Sequence, residues 1–380
     1  MIPALYKSAL HPQEVRALLK LKIKGRQYAV PKKLLAELVL ILDDETFSYA
    51  ALSKVSRSFA VVIQQLPEDL KDAVCVFYLV LRALDTIEDD MKFPKEEKLE
   101  LLRNFHKKSY DENFTLKNVG DQEDYRILLG HYDKVVRFFK SLNTGYRDVI
   151  VDITEKMGNG MAYFAEKEVV SLNDYNLYCH YVAGLVGIGL SNLFSVSGLE
   201  NTELKNKHEL SNSMGLFLQK TNIIRDYHED LFSDRSFWPK EVWGKYTDEL
   251  SSFTENPTAP GSLACLNEMV MDALGHLPDV VDYLSLLKNK RIFRFAAIPQ
   301  VIAIATLAAV YNNPNVFTGV VKVRKGLAAR LILYDLPLED TLKYFKKYSR
   351  VFLRKSPAGS DLHQQLLVWS KALNKKIRNR

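Results

Sequence analysis

Carboxylates crowded onto one helix repel each other unless a cation sits among them, and this chain crowds them twice. Within Phe77–Asp90, Tyr78, Arg82, Asp85 and Asp89 are spaced 4, 3 and 4 apart. At about 3.6 residues per turn they share one face of an otherwise apolar helix. Glu88, three residues after Asp85, extends the acidic cluster. The figure returns 141 residues later in Gln219–Asp230, where Gln219, Asn222, Asp226 and Asp230 are spaced 3, 4 and 4 apart and Glu229 stands where Glu88 stood. One acidic helix end is ordinarily a solvated turn. Two with matched spacing, each beside an arginine (Arg82, Arg225), point to a shared ligand. All-oxygen donors favour a hard ion such as Mg²⁺, which keeps several waters and bridges to phosphate oxygens. The expected chemistry is a diphosphate held between metal ions.

The elements that must position these residues read as helices. The spacing predicts helices over 11–24, 31–42, 67–90, about 124–142, 145–170, 174–199, 219–230, 262–287 and 291–311, then two basic amphipathic helices. Residues 108–124 are polar and read as a loop. Strand-type alternation with hairpin turns is absent, so the fold class is all-α. The stretch Ser56-Arg57-Ser58-Phe59 offers hydroxyls and a guanidinium to a phosphate, or simply caps a helix. Arg235, in the loop Ser233–Pro239 after the second acidic segment, is placed to close over an anion. Gly158 and Gly160, and the glycines between Gly184 and Gly189, follow no strand and make no dinucleotide fingerprint; they suit close helix crossings.

At 380 residues, 47% hydrophobic and 26% charged, the chain has ample material for a core, and no low-complexity linker divides it, so one large domain is expected. Cys75, Cys179 and Cys265 are far apart in apolar surroundings, as expected of reduced, buried thiols. The first residues carry charge and lack the pattern of a signal peptide. Residues 322–380 hold fifteen Lys or Arg against four Asp or Glu, a local +11 within a total of +6. That asymmetry suits a phosphorylated ligand or a membrane surface, and no reader motif supports nucleic acid. The most apolar run, Phe295–Tyr311, contains Pro299 and Gln300 and is shorter than the roughly 20 residues a bilayer needs, so buried core is the expected assignment.

Other chemistries lack their residues. A di-iron bundle needs Glu-x-x-His on two helices, and none occurs. No G-x-S-x-G is present and the cysteines carry no local hydrolase signature. A purely structural helical scaffold remains as the non-enzymatic alternative. Mg²⁺, diphosphate and an oily interior together suit allylic diphosphate ionisation, in which cations stabilise the leaving group and a dry cavity protects the carbocation.

Phe77–Asp90 and Gln219–Asp230, both D-x-x-E-D, resemble the aspartate-rich motifs of the squalene synthase family, the farnesyl-diphosphate farnesyltransferases within the squalene/phytoene synthases. The resemblance also takes in Ser56–Phe59, Tyr178–Leu190, Phe237-Trp238-Pro239, Ala297–Gln300 and Val321–Gly326, in order from about 45 to 330. It implies an isoprenoid synthase fold with a central cavity, in a catalytic domain over 1–355. The basic segment 356–380 would precede a membrane anchor that is missing here. It implies head-to-head condensation of two farnesyl diphosphates to presqualene diphosphate, then NADPH-dependent reduction to squalene, the first committed step of sterol biosynthesis. The runner-up is a phytoene or dehydrosqualene synthase type that omits the reduction.

The resemblance also assigns residues. Asp85, Glu88, Asp89, Asp226 and Asp230 would hold Mg²⁺, with Mn²⁺ as a substitute. Arg57, Arg82, Arg225, Lys322 and Arg324 would take phosphates, and Tyr178 would serve the first half-reaction. Phe59, Tyr78 and Phe295 would line the cation path, while Gln219 and Asn222 support the second motif. NADPH rests on the resemblance alone. The setting implied is the endoplasmic-reticulum membrane with the catalytic domain, a monomer, facing the cytosol.

Overall fold

The structure, a computed structural model, describes residues 12–28, 39–56, 59–232 and 236–379. Among them every regular element is a helix. In chain order these are α1 (Pro12–Tyr28), α2 (Asp44–Val55), α3 (Phe59–Ile63), α4 (Glu68–Asp89), α5 (Lys95–Lys108), α6 (Glu123–Gly130), α7 (Tyr132–Ser141) and α8 (Thr144–Phe164). After α9 (Leu172–Cys179) a π-helical turn, His180–Gly184, leads into α10 (Leu185–Val196). Then come α11 (His208–Arg225), α12 (Tyr227–Phe232), α13 (Lys240–Trp243), α14 (Ser252–Glu255), α15 (Pro260–Leu274), α16 (Leu277–Leu286), α17 (Lys290–Val310), α18 (Lys325–Leu333), α19 (Leu338–Lys355) and α20 (Asp361–Arg378).

The helices fall into two compact units. The smaller holds Leu19–Lys167 and Ile188–Asn206; the larger holds Met1–Leu18, Glu168–Gly187 and Lys207–Arg380. Each is organised around one acidic helix. In the smaller unit α4 packs against α2, α3, α5, α6, α7 and α8. Pro67 sets its start, and Glu68 and Asp69 occupy the first turn, where the helix dipole favours negative charge. From Ala73 to Ile87 the residues that are not buried are Tyr78, Arg82 and Asp85. A helix wrapped by neighbours on all sides is thus left open along one stripe, the stripe that its 4 and 3 spacing predicts.

In the larger unit α11 is the hub, touching α9, the π-helical turn, α12, α15, α16 and α17. The approach is close because side chains are missing where backbones meet. A Cβ on Gly187 would stand 2.1 Å from the Ser211 carbonyl oxygen, and one on Gly215 the same distance from that of Ala183. In the smaller unit Gly158 of α8 does likewise against the Leu102 carbonyl of α5. Gly158 and Gly187 are helix-crossing devices, as expected.

α17 is long and apolar enough to cross a membrane by length and composition, as is Leu172–Val196, but 72% of its apolar window is buried in the fold. Its Gln300 is buried and donates to the Met214 carbonyl of α11 at 3.2 Å. Lys355 closes the far end of α17, donating to the carbonyls of Ala308 (2.7 Å) and Tyr311 (3.1 Å). The basic α20 is part of the larger unit: Leu366 and Leu373 are fully buried, and the Trp369 indole donates to the Leu274 carbonyl at 3.0 Å.

Several expected helices divide. The 124–142 segment breaks at His131, 262–287 at Gly275-His276, and 174–199 passes through the π-helical turn. The helix expected over 31–42 has residues 31–38 outside the described residues, and Val39–Ile41 form a turn. Cys75, Cys179 and Cys265 are free thiols and buried, as their surroundings predict.

Candidate active site

In the smaller unit the open stripe of α4 is built around Arg82. Its guanidinium lies 3.6 Å from the Asp85 carboxylate, donates to the Tyr78 hydroxyl at 3.3 Å, and sits over the rings of Tyr78 (5.7 Å) and Tyr125 (5.6 Å). Burial works against its charge, yet Asp85 and the tyrosines outweigh that and raise its pKa, so it stays cationic. Its buried Nε has no hydrogen-bond partner among the described residues. A buried, charged donor left over in this way is suited to an incoming acceptor. Burial raises the Tyr78 pKa and keeps its hydroxyl protonated. The Phe59 ring stacks on Tyr78 at 6.2 Å and 24°, lining the stripe with aromatic faces.

The end of α4 is pinned beneath its acidic cluster. The buried Lys98 donates to the Glu88 carbonyl at 2.9 Å, neutralising the helix C-terminus and leaving the Glu88 carboxylate out of that bond. Asp90 takes backbone amides from Gly120 (2.7 Å) and Lys92 (2.8 Å). Burial opposes its ionisation, but these amides prevail and its pKa is lowered. Asp90 is therefore a loop anchor, whereas Asp85 and Glu88 are half-buried and Asp89 exposed on the stripe.

In the larger unit the second acidic segment is a helix with a one-residue adjustment. α11 ends at Arg225, Asp226 has φ −94° and ψ 8°, and α12 resumes at Tyr227. The i to i−4 bonds persist through it: Asp226 N donates to Asn222 O at 2.8 Å and Asp230 N to Asp226 O at 2.9 Å. The 3, 4 and 4 spacing therefore still brings Gln219, Asn222, Asp226 and Asp230 to one side. Arg225 forks onto the Asp226 carboxylate at 2.7 and 2.5 Å. Burial disfavours the Arg225 charge, and Asp226, then Glu229 and Asp230, reverse this and raise its pKa.

Tyr178 is buried at the end of α9, its ring stacked on Phe237 at 4.7 Å and 17°. The π-helical turn follows it directly. Gly184 in that turn lets the Asn212 side chain come to within 1.9 Å of where a Cβ would stand, and Asn212 meets His180 Nδ1 at 2.7 Å. Such turns are frequent at functional sites. Phe295 is buried in α17.

Five expected phosphate contacts are turned elsewhere or lie outside the described residues. The Ser56 hydroxyl donates back to the Leu52 carbonyl at 2.6 Å, the capping alternative for that stretch. Arg324 is held bidentately by Glu14, buried in α1, at 3.0 and 2.9 Å, while Lys322 is exposed. Arg57, Ser58 and Arg235 lie outside the described residues. Besides Lys98, a second buried cation has no place among the expected site residues. Lys220, 1% exposed on α11, donates to Asp272 of α15 at 2.6 Å and lies 5.2 Å from the Tyr175 ring centroid. Its only sequence signal is a lysine on the apolar side of an amphipathic helix.

Among the described residues no three His, Cys, Asp or Glu side chains converge as a metal cage. The donors offered are carboxylates on α4 and α12 and at the residue between α11 and α12, accompanied by arginines. Either segment by itself fits a hard ion carried on one or two carboxylates and completed by phosphate oxygens.

The family model described as Squalene/phytoene synthase matches residues 52–326. Squalene synthase LSS of Botryococcus braunii is 53% identical over 311 residues, 81% of this chain and 65% of its own length. The squalene synthase of Rattus norvegicus is 50% identical over 329 residues, covering 85% of this chain and 76% of the relative. The solved structure of TcSQS with the ligand BPH1237 superposes with a TM-score of 0.86 at 46% identity, over 88% of this chain and 99% of that one. The chain belongs to the squalene/phytoene synthase family.

Proposed function

We propose that the chain carries out the squalene synthase reaction: head-to-head (1'-1) condensation of two farnesyl diphosphates to presqualene diphosphate, then NADPH-dependent reductive rearrangement to squalene. The observation that carries this reading is the stripe on α4, where a buried helix is open only at Tyr78, Arg82 and Asp85 between Ala73 and Ile87. Relatives at about half identity are named squalene synthases, which favours the reductive chemistry over a phytoene-type condensation.

Asp85, Glu88 and Asp89, with Asp226 and Asp230, are the residues that would hold Mg²⁺. When bound, the ion supplies Lewis-acid stabilisation of the departing diphosphate. Arg82 contributes a fixed charge and an unused Nε donor toward a phosphate oxygen. Arg225, locked to Asp226, orients that carboxylate and adds a second fixed charge. Phe59 and Tyr78 present stacked aromatic faces, which attract a cation by about 2 kcal/mol or more when water is excluded. Tyr178, held by Phe237, keeps a hydroxyl in a buried setting suited to guiding the first half-reaction. NADPH supplies the hydride of the second half-reaction, and Lys322, with Arg57, would meet its phosphates. Arg324 shapes that region through Glu14 rather than by offering an unpaired charge.

We assign the catalytic part to residues 1–355 and place the protein, as a monomer, at the endoplasmic-reticulum membrane facing the cytosol, with basic 356–380 toward the lipid. Incubation with farnesyl diphosphate and Mg²⁺ tests the reaction. Presqualene diphosphate without NADPH and squalene with it are expected. The same product under both conditions favours the phytoene-type alternative.

A further inference from the structure

The larger unit carries a basic cleft that uses none of the carboxylates above. It has a volume of about 560 Å³ and lies where α1, α18, α19 and the Tyr334–Leu336 turn meet. Four cations line it, Arg16, Arg330, Lys343 and Lys347, against two acids, Asp335 and Asp340. The acids are already engaged. Asp340 lies 3.0 Å from Lys343, which Glu339 also meets at 2.8 Å, and Asp335 lies 3.9 Å from Arg294.

Arg16, Arg330 and Lys347 are left with no carboxylate within ion-pair distance among the described residues. The cleft is framed rather than loose. Arg294 donates to the carbonyls of Ile332 and Tyr334, both at 3.0 Å, and so fixes the turn that forms one rim. Hydroxyl donors come from Tyr334 and the half-buried Tyr344. Burial raises the Tyr344 pKa, so its hydroxyl remains a donor at neutral pH.

A second cleft, about 520 Å³, is lined by Lys347, Arg350, Leu353 and Arg354. It shares Lys347 with the first, so the positive charge runs on along α19. On that helix Glu339, Lys343, Lys347, Arg350 and Arg354 are spaced 4, 4, 3 and 4 apart and exposed, a single face. Leu331 and Leu336 are the apolar lining residues of the first cleft, too little to hold a prenyl chain. A single carboxylate would leave most of the positive charge unmet, whereas several phosphates would pair with it by charge-assisted hydrogen bonds. We propose that this cleft binds a multiply phosphorylated ligand, either a soluble polyphosphate or the phosphorylated headgroup of a lipid.

The probes are inorganic tripolyphosphate, titrated by calorimetry, and phosphatidylcholine vesicles with or without phosphatidylinositol phosphate, read by co-sedimentation. A chelator keeps metal-dependent diphosphate binding silent. The unaltered chain should bind tripolyphosphate, the phosphoinositide vesicles or both, more weakly as salt is raised. Whichever binds identifies the source of the phosphate. Arg16→Ala/Arg330→Ala/Lys347→Ala should weaken that binding by about tenfold or more, with squalene formation unchanged. Lys347→Glu, a single change at an exposed side chain, should weaken it in the same direction if the triple variant fails to fold. Binding of neither probe to the unaltered chain, or equal affinity in the variants, overturns the proposal.

Discussion

Replacing Asp272 by Asn should destabilise the larger unit more than replacing Lys220 by Met, although both substitutions break the same ion pair. Lys220 is 1% exposed and its ammonium sits 2.6 Å from Asp272, whose side chain is 26% exposed. Asp272→Asn strands a buried cation with a neutral amide and the Tyr175 ring 5.2 Å away. Removing one partner of a buried pair costs about 3–5 kcal/mol, and the surviving amide contact places this case near 3. Lys220→Met instead puts an apolar chain into an apolar site and leaves a carboxylate that reaches water, at a cost of about 1 kcal/mol. Trp238, Trp243 and Trp369 are the chain's three tryptophans and all belong to the larger unit, so fluorescence during urea unfolding reads that unit alone. Equal losses, or a larger loss in Lys220→Met, would refute the assignment of the buried charge to the lysine.

Three further outcomes can be checked. Burial, then Lys220, lowers the His276 pKa to about 3. Because the unfolded state binds the extra proton, this contribution to stability is complete above about pH 6.5 and is lost as pH falls toward 3, by up to about 1.4 kcal/mol per pH unit. His276→Gln should flatten the slope of unfolding free energy between those limits, and parallel slopes would count against it. Gly158→Ala forces a Cβ to within 2.1 Å of the Leu102 carbonyl and should cost about 1–3 kcal/mol in the smaller unit, read by hydrogen exchange of α5 and α8. Tyr178→Phe keeps the ring on Phe237 and removes only the hydroxyl. Presqualene diphosphate should then fail to accumulate without NADPH, and normal accumulation would take that hydroxyl out of the chemistry.

The sequence made the helical class and both acidic stripes legible, because apolar spacing and carboxylate spacing share one period. It also marked the helix-crossing glycines, since a residue without a side chain inside a helix implies a close neighbour. Breaks one or two residues deep were harder. The adjustment at Asp226 keeps its i to i−4 bonds and so leaves the periodicity intact. The turn at His180–Gly184 adds a residue without any proline. Gly130 and Gly275 stood at two of the divided helices as overlooked stop signals. Long-range pairing was out of reach. Glu14 and Arg324 are 310 residues apart, and nothing local to either shows that the arginine's charge is already met. Lys220 is not legible in the sequence because a lysine is ordinarily solvated, and only packing shows it buried.

The central proposal is that each acidic segment contributes carboxylates to metal-dependent diphosphate binding. The most direct test is calorimetric titration of a non-hydrolysable farnesyl diphosphate analogue, with Mg²⁺ and with chelator, into the unaltered chain, Asp85→Asn and Asp226→Asn. Tight binding only with Mg²⁺, lost in each single variant while circular dichroism is unchanged, is the predicted result. Binding that ignores the metal, or survives intact in either variant, contradicts the claim.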